Sequence, residues 1–334
     1  MIKEIVRRVS SSLGKDAIRV CAPTGAAAIN IEGSTIHSLL HFPMVSSKFQ
    51  PLNGEAKTNF QNEMKELKFI IIDEMSMIGA QILFMIERRL RETQPGVDEP
   101  FGGVFVYFFG DFRQLPPVKD APLYSNSFFD TMSQQGRLFF NEFQFFIELG
   151  CSHRQSNADE SFRNMLENLA SGTFTEADHT LLASRSQSLL STDELEIFKT
   201  AVELYPTNEQ VRANNESHLE SLGLPVANIA SENTPDIVPT ANDDAQVGLP
   251  AKLKLSIGSR VMLRTNLWVG GGLVNGTLGT VRYIVYSPDA RPPSLPLFIL
   301  VEFDQYRGPS VVDNLFPFIP MTRSWNDKGI TRIR

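Results

Sequence analysis

Residues 69–76 read FIIIDEMS, an apolar run of four residues that ends in two carboxylates. Wholly apolar strands are typical of parallel sheets that are covered on both faces. At the carboxyl end of such a strand, Asp73 and Glu74 would lie at the edge of the sheet where open α/β folds bind their ligands. The pattern predicts an acidic site there, with one carboxylate able to hold Mg²⁺ and the other able to orient water. The alternative is an exposed acidic pair that follows a core strand.

Two further apolar runs flank this strand. Residues 18–21 and 104–109 are strand-like, and residues 26–28 and 82–90 have helix-forming composition or helical spacing. Continuous apolar strands that alternate with helices form a parallel sheet with helices on its faces. The first 150 residues are therefore expected to adopt an α/β architecture of the nucleotide-binding type.

The pattern is weaker in the second half of the chain. The sequence predicts helices over 161–170 and 208–222, a strand over 202–205 and a polar loop over 231–248. Three short strands with turn signals follow, over 260–264, 279–286 and 297–303. Their spacing predicts a small antiparallel barrel or curled sheet.

The composition is that of a globular protein of about two domains. Of the 334 residues, 42% are hydrophobic and 21% are charged, which excludes a disordered tail, a coiled coil or a collagen-like rod. No apolar stretch approaches the roughly 20 residues of a membrane span, and the amino-terminal stretch lacks the apolar core of a secretory signal. Two cysteines cannot form a disulfide framework or a four-ligand zinc site. An intracellular location in a reducing compartment, with no membrane partner, is expected.

The charge is unevenly distributed along the chain. The net charge is −7, yet residues 251–334 carry 11 basic and 5 acidic side chains, a local excess of +6. Such an excess in an acidic protein indicates a patch that faces a polyanion. A solvated basic face is the alternative.

A second polar cluster follows the third apolar run. Residues 108–117 read FFGDFRQLPP, so Asp111 and Gln114 would also reach the ligand-binding edge of the sheet. The paired prolines stiffen the exit from this turn. Gln114 could contact a terminal phosphate or the water that attacks it, whereas a rigid turn with an exposed amide is the alternative.

These two motifs together resemble motifs II and III of superfamily-1 DNA helicases, in the Pif/RecD-like branch that moves 5′ to 3′. Further segments resemble other blocks of that family in the same order: APTGAAA at 22–28, GSTIHS at 33–38, SHRQ at 152–155, YPTN at 205–208, GSRVML at 258–263 and LVNGTLG at 273–279. An ordered series of blocks is more specific than any single motif. The resemblance implies an α/β fold with a RecA-like P-loop NTPase core and a partial second RecA-like domain that carries an SH3-like β insertion.

The resemblance also implies the residues of an ATP site. Asp73 would bind Mg²⁺, Glu74 would be the catalytic base, and Gln114 would couple the γ-phosphate to DNA. Asp111 would contribute to cofactor binding. Arg154 would stabilise charge on the transferring phosphoryl group, an effect of about 10³–10⁵ in rate in other phosphoryl-transfer enzymes. A surface arginine in a salt bridge is the alternative for that residue.

Single-stranded DNA would follow backbone amides and small side chains in the matching blocks. The residues implied are Pro23, Thr24, Gly25, His37, Asn275 and Gly276. A lone histidine such as His37 is otherwise more often packed in a core. An Asn-Gly pair is by itself a tight-turn signal.

The family pattern is incomplete at both ends. The P-loop sequence G-x-x-x-x-G-K-[ST], which would wrap the phosphates and supply a lysine, does not occur in the chain, since Gly14-Lys15 is followed by Asp16. The final motifs of the family, with a second arginine, have no counterpart before Arg334. We therefore expect a chain that is truncated at both ends relative to the family.

Four regions are expected on this basis. They are a first RecA-like domain without its P-loop over 1–150, the start of a second over 151–250, the SH3-like insertion over 251–320, and a truncated return to the second domain over 321–334.

The function implied by the resemblance is an ATP-dependent DNA helicase in repair, recombination or replication. It would use ATP and Mg²⁺ and act on single-stranded DNA and duplex junctions. A monomer is expected, in the nucleus rather than the mitochondrion. One alternative is a catalytically dead DNA-binding remnant of a helicase or mobile element. The other is an unrelated α/β protein whose Asp-Glu pair serves another Mg²⁺ reaction, which would leave the later blocks unexplained.

Overall fold

The computed structural model describes residues 1–43, 49–127, 130–150, 153, 155, 159–198, 201–234, 251–268, 270–309, 314–325 and 330–333. Within these ranges the chain forms an α/β half built on a parallel sheet, a run of helices, and an antiparallel half. The predicted fold class is confirmed.

A parallel sheet forms the centre of the α/β half. Its strands are β1 (Ile18–Ala22), β2 (Ser34–Thr35), β3 (Phe69–Ile72) and β4 (Phe105–Phe108), in the order β2-β1-β3-β4. In register, Ile18 lies opposite Phe69, which lies opposite Phe105. The carboxyl ends of β1, β3 and β4 therefore meet at one edge of the sheet, as the apolar runs predict.

Helices and a continuous apolar core cover one face of this sheet. The helices of this half are α1 (Ile2–Leu13), α2 (Gly25–Asn30), α3 (Ile36–Leu39), α4 (Gly54–Glu63), α5 (Ala80–Arg91) and α6 (Thr131–Asn141). Ile70 and Ile72 of β3 share the core with Leu83 of α5, and all three are fully buried. α5 packs on α6 so closely that a Cβ at Gly136 would overlap the backbone of Ala80.

The opposite face of the sheet is covered over β1, where Ala22 packs with Ala28 of α2, but only partly covered elsewhere. Over β3 and β4 it presents stacked aromatic rings, with the Phe69 centroid 5.4 Å from that of Phe105 and 6.3 Å from that of Tyr107. Phe105 is 62% exposed and Tyr107 is 48% exposed. The prediction of a sheet covered on both faces is therefore wrong over β4, where Phe105 and Tyr107 leave this face exposed.

Helices α7 to α10 follow the parallel sheet. They are α7 (Glu160–Ser171), α8 (Glu176–Ala183), α9 (Thr192–Phe198) and α10 (Asn208–Ser221). The helices predicted over 161–170 and 208–222 are confirmed. The strand predicted over 202–205 is wrong, because Val202 and Leu204 are 66% and 92% exposed and these residues form no ladder with any strand that the structure describes.

The antiparallel half has its own sheets and its own core. Its strands are β5 (Ala227–Ala230), β6 (Glu232–Thr234), β7 (Lys252–Leu255), β8 (Arg260–Met262), β9 (Leu278–Val285), β10 (Phe298–Phe303), β11 (Leu315–Phe318), β12 (Thr322–Trp325) and β13 (Ile330–Ile333). They form sheets ordered β11-β10-β9-β8, β12-β13-β6 and β5-β7. Val281, Val301 and Phe303 pack with Leu255 and Leu273 in the core. The antiparallel strands predicted from the turn signals are confirmed.

One predicted loop requires correction. Residues 232–234 form β6, although their polar composition predicts a loop, because they pair with β13. The rest of that predicted loop lies outside the described residues, and the domain boundaries stay a prediction. In the part of the chain that the structure describes, no helix is long and apolar enough to cross a membrane.

Candidate nucleotide and DNA site

The two acids of the FIIIDEMS motif lie where the backbone leaves β3. The N–H of Asp73 donates to the carbonyl oxygen of Cys21 at 2.9 Å, which extends the pairing with β1. Glu74 then adopts a left-handed conformation (φ 54°, ψ 49°), which is uncommon for a residue with a side chain. The chain turns into a 3₁₀ turn over Met75–Met77, and both acidic residues lie half-buried at the carboxyl edge of the sheet.

The exit from β4 packs directly against this turn. The N–H of Met75 donates to the carbonyl oxygen of Phe109 at 2.9 Å. Gly110 follows with φ 145°, and a Cβ there would lie 2.7 Å from the Met75 nitrogen. A glycine is needed at this position because no side chain could be accommodated between the two turns.

Asp111 shapes the turn that carries Gln114. Its carboxylate accepts hydrogen bonds from the backbone N–H of Arg113 at 2.9 Å and from Nε at 3.3 Å, and its carbonyl oxygen accepts from the N–H of Gln114 at 3.0 Å. The bond to Asp111 raises the pKa of Arg113, which also contacts Glu167 of α7 at 3.2 Å. The carboxylate therefore has a structural task, and its part in cofactor binding stays a prediction.

A cleft of about 750 Å³ lies between α2 and these two turns. Its lining includes Thr24, Asn30, Glu74, Ser76, Arg113 and Gln114. One space is thus lined by Thr24, Glu74 and Gln114, to which the sequence pattern assigns different tasks.

Ser76 and Arg113 line the cleft, although the sequence pattern did not single them out. Ser76 is 2% exposed, and its hydroxyl has no hydrogen-bond partner within the described residues. Both are polar residues inside motifs that were already recognised. Their location inside FIIIDEMS and FFGDFRQLPP could have identified them as candidate site residues.

The candidate DNA-binding residues come together from both halves of the chain. Thr24 caps α2, with its Oγ1 accepting from the N–H of Ala27 at 3.3 Å. A Cβ on Gly25 would lie 3.1 Å from Cγ of Asn266 and closer still to its Oδ1. That same Oδ1 accepts the N–H of Asn275 at 2.9 Å. Asn266, which no motif indicated, therefore joins the start of α2 to the Asn-Gly turn.

The other candidate DNA-binding residues differ in their placement. Gly276 has φ 96°, as the turn requires, and a Cβ there would lie 3.9 Å from the Cβ of Ala26. Pro23 is half-buried just before the cap of α2. His37 is also half-buried and lies edge-on to Phe42, with ring centroids 6.0 Å apart. Burial lowers the pKa of His37, which supports the packed-histidine alternative, and its contact with DNA stays a prediction.

Arg154 lies outside the described residues, so its role stays a prediction. No group of three or more His, Cys, Asp or Glu side chains that could hold a metal occurs in the described ranges. Mg²⁺ is usually bound through one or two carboxylates together with substrate phosphates and water. A half-buried Asp73 at the sheet edge fits that donor set, whereas the P-loop cradle for the phosphates is absent from the sequence.

The parallel sheet, the acidic turn after β3 and the glutamine turn after β4 define a RecA-like helicase domain. A family model described as PIF1-like helicase matches residues 1–180, and one described as the 2B domain of DNA helicase Pif1 matches residues 244–284. The chain belongs to the PIF1-like helicase family.

Curated relatives share this similarity over most of the chain. The ATP-dependent DNA helicase PIF1 of Danio rerio is 31% identical over 282 residues, which cover 83% of this chain and 42% of the relative. The human protein of the same name is 28% identical over 282 residues, covering 83% of this chain and 41% of the relative. The chain therefore spans less than half the length of these relatives.

Solved structures extend the likeness to the whole chain. A Bacteroides Pif1 helicase in complex with ADP-AlF3 and single-stranded DNA is 26% identical, with a TM-score of 0.65 and coverage of 99% of this chain and 73% of that one. A structure of two coordinating Pif1 helicases at forked duplex DNA is 25% identical, with a TM-score of 0.69 and coverage of 99% and 72%.

Proposed function

We propose that this chain is part of an ATP-dependent DNA helicase, in which ATP hydrolysis drives 5′-to-3′ movement along single-stranded DNA and the unwinding of duplexes. The observation that carries the proposal is the cleft that brings Thr24, Glu74 and Gln114 together. Coupling between two ligands requires that each alters a group that the other contacts. Gln114, proposed to face the nucleotide, and Thr24, proposed to face the DNA, line one space and would meet this requirement.

The nucleotide side of the cleft would use the two sheet-edge turns. Asp73 would hold Mg²⁺, and Glu74 would accept a proton from the attacking water. Gln114 would contact the γ-phosphate from the turn that Asp111 shapes. Arg154 would stabilise charge on the phosphoryl group as it transfers.

The DNA side would use the junction between the two halves. Short side chains and backbone amides there suit phosphates, which contact proteins without regard to sequence. The residues proposed are Pro23, Thr24, Gly25, His37, Asn275 and Gly276. The basic excess of residues 251–334 would add charge to this surface.

The finer parts of the proposal concern organisation and setting. The boundaries near residues 150, 250 and 320 would separate the first RecA-like domain, the second, and the insertion. The protein would act as a nuclear monomer at duplex junctions during repair, recombination or replication. A solved relative comprises two coordinating helicases at forked DNA. The number of protein molecules bound to a fork substrate therefore tests whether this protein acts as a monomer.

A DNA-binding remnant without turnover is the second candidate. The observation in its favour is the basic excess of residues 251–334, which could bind phosphates without any turnover of ATP. Such a protein would bind single strands weakly, with a slope of about −0.7 in log K against log salt for each phosphate contact.

One experiment separates the two candidates. A chimera would carry residues 1–334 between the amino- and carboxyl-terminal segments of the Danio rerio relative, and residues 1–334 alone would be the comparison. We expect the chimera to hydrolyse ATP in response to single-stranded DNA and to unwind a fork with a 5′ tail, and the shorter chain to hydrolyse little. A folded chimera that binds DNA but does not hydrolyse ATP would favour the remnant.

A further inference from the structure

The segment from residue 264 to residue 268 exposes a cation, an amide and an aromatic ring within five residues. Arg264, Asn266 and Trp268 are exposed, whereas Leu267 between them packs against the core of the antiparallel half. The guanidinium of Arg264 has no hydrogen-bond or salt-bridge partner among the residues that the structure describes. This is the combination of groups with which proteins hold single-stranded nucleic acid.

Trp268 is held in a fixed position while staying open to solvent. Its backbone exchanges two hydrogen bonds with Leu273, each 3.0 Å long. A Cβ on Gly271 would lie 2.6 Å from Cδ2 of the indole, and one on Gly308 would overlap Cζ3. The ring therefore lies directly on backbone that carries no side chain, and 45% of the residue remains exposed. An aromatic platform that is already ordered loses little entropy when a base stacks on it.

The position of Trp268 relative to the proposed DNA site supports this use. Asn266 packs on Gly25, at the end of α2 that is proposed to contact DNA. Two residues of chain span at most about 7 Å. The backbone of Trp268 thus lies within that distance of the backbone of Asn266, whose side chain makes the contact with Gly25.

We propose that Trp268 stacks on a base of single-stranded DNA and that Arg264 binds a neighbouring phosphate. The strand held at Gly25 and the Asn-Gly turn would then continue over the exposed side chains of Arg264 and Trp268. This inference rests on the proposed function, because it names further contacts to the same ligand. Stacking of this kind tolerates any sequence, since every base has a π face.

Tryptophan fluorescence tests the contact directly. Trp268 and Trp325 are the two tryptophans of the chain, so Trp325→Phe leaves the indole of Trp268 as the reporter. We expect a short oligothymidylate to quench its emission as the DNA binds. This readout needs no substitution at position 268, so a saturated complex without quenching would overturn the proposal.

Affinity measurements on the same oligothymidylate provide the second readout. We expect Trp268→Ala to raise Kd about tenfold and Trp268→Phe to restore most of the affinity. Tyr283→Ala is the matched control, because Tyr283 is also an aromatic residue of the antiparallel half and is 55% exposed. It should leave Kd unchanged.

An abasic oligonucleotide of the same length separates stacking from charge. Trp268→Ala should not change the Kd for this ligand, whereas Arg264→Gln should weaken both oligonucleotides and reduce the salt slope by about 0.7. If the parent binds oligothymidylate and Trp268→Ala binds it equally well, the inference is overturned and the proposed function stands. If the parent binds neither oligonucleotide at low salt, the inference and the proposed DNA-binding function both fail.

Discussion

Gly25, at the start of α2, packs against the side-chain amide of Asn266, which belongs to the antiparallel half. A Cβ at position 25 would lie 3.1 Å from Cγ and 3.2 Å from Nδ2 of Asn266. Because the Oδ1 of Asn266 also accepts the N–H of Asn275, one amide joins two segments that are remote in sequence. The relative placement of the two proposed DNA-contacting segments therefore depends on the absence of a side chain at position 25.

Size complementation should reveal this contact. We expect Gly25→Ala to destabilise the protein by about 1–3 kcal/mol, because its methyl group would overlap the amide of Asn266. Asn266→Ala alone loses one hydrogen bond, of about 0.5–1.5 kcal/mol. In the Gly25→Ala protein it also removes the overlap, so the double variant should be more stable than the sum of the single effects by at least about 0.5 kcal/mol.

Urea unfolding of the four proteins measures this coupling, and oligothymidylate affinity should follow the same order. Gly150→Ala is the matched control, since a Cβ there meets nothing within 4 Å. Strictly additive effects in the double variant would show that Gly25 and Asn266 do not touch in solution.

The elements that could be predicted from sequence are those whose own residue pattern indicates how deeply they are buried. β3 is an example, because Ile70, Ile71 and Ile72 are all fully buried and an unbroken apolar run of that length suits a central parallel strand. The run over 202–205 is also apolar, yet Leu204 is 92% exposed. A strand needs a neighbour, and local composition does not show whether a neighbour exists.

The same distinction applies to the candidate site. Glu74 and Gln114 could be placed together because each follows a strand of one parallel sheet, and the ends of such strands share an edge. Asn266 could not be placed beside Gly25, because their contact depends on how two halves of the chain pack. The turn-shaping role of Asp111 was also hidden, since it arises from a bond to Arg113 that the motif does not encode.

A buried cation anchors the segment that precedes α4. Arg89 is 1% exposed and donates hydrogen bonds to Oε2 of Glu92 at 2.5 Å and to the carbonyl oxygen of Gln50 at 3.0 Å. Its guanidinium also lies 5.2–5.8 Å from the ring centroids of Phe42, Phe49 and Phe60.

We expect Arg89→Ala to destabilise the protein by about 3–5 kcal/mol, because it leaves the largely buried carboxylate of Glu92 without its cationic partner. Arg89→Lys should recover only part of the loss, since an ammonium cannot reproduce the planar fork of a guanidinium. Arg88→Ala is the neighbouring control. Its side chain is 45% exposed and lies 4.0 Å from Glu87, which keeps Arg91 as a partner, so the substitution should cost less than Arg89→Ala. Urea unfolding gives these values, and an equal loss at positions 88 and 89 would contradict the anchoring role.

The stability of the fold should depend on the protonation of His37. Burial lowers the pKa of this side chain in the folded state, whereas an unfolded histidine titrates near about pH 6.5. Folding therefore favours the neutral imidazole. The stability that this preference provides is fully present above the unfolded pKa of about 6.5, and it is lost as the pH falls through the lower pKa of the folded state.

We expect His37→Gln to show a smaller fall in Tm than the parent between about pH 7.5 and about pH 5.5. His179→Gln is the control, because His179 is exposed on α8, and it should show the fall of the parent. Proton NMR of the imidazole tests the DNA contact as well, since a nearby phosphate would raise the pKa of His37 when oligothymidylate is added. An unchanged imidazole titration in saturating DNA would argue against that contact.

The two acids after β3 should have separable effects on nucleotide chemistry in the chimera with the Danio rerio relative. Glu74→Gln keeps the shape of the side chain and leaves Asp73 to hold the metal, so ATP·Mg²⁺ should still bind. Turnover should fall by about 10²–10⁴-fold, because a neutral amide cannot accept a proton from the attacking water. Asp73→Asn should weaken Mg²⁺-dependent nucleotide binding itself, since a hard cation prefers a charged oxygen ligand.

Nucleotide affinity and single-turnover hydrolysis, measured on the same proteins with and without Mg²⁺, separate these effects. Without Mg²⁺ the Asp73→Asn protein should bind nucleotide as the parent chimera does, because its defect lies in metal binding. Glu66→Gln, a substitution of an exposed acid just before β3, should change neither quantity. If Glu74→Gln hydrolyses ATP at nearly the parent rate, Glu74 is not the base. The acidic pair would then act only as a metal site, and a group outside residues 73–76 would have to activate the water.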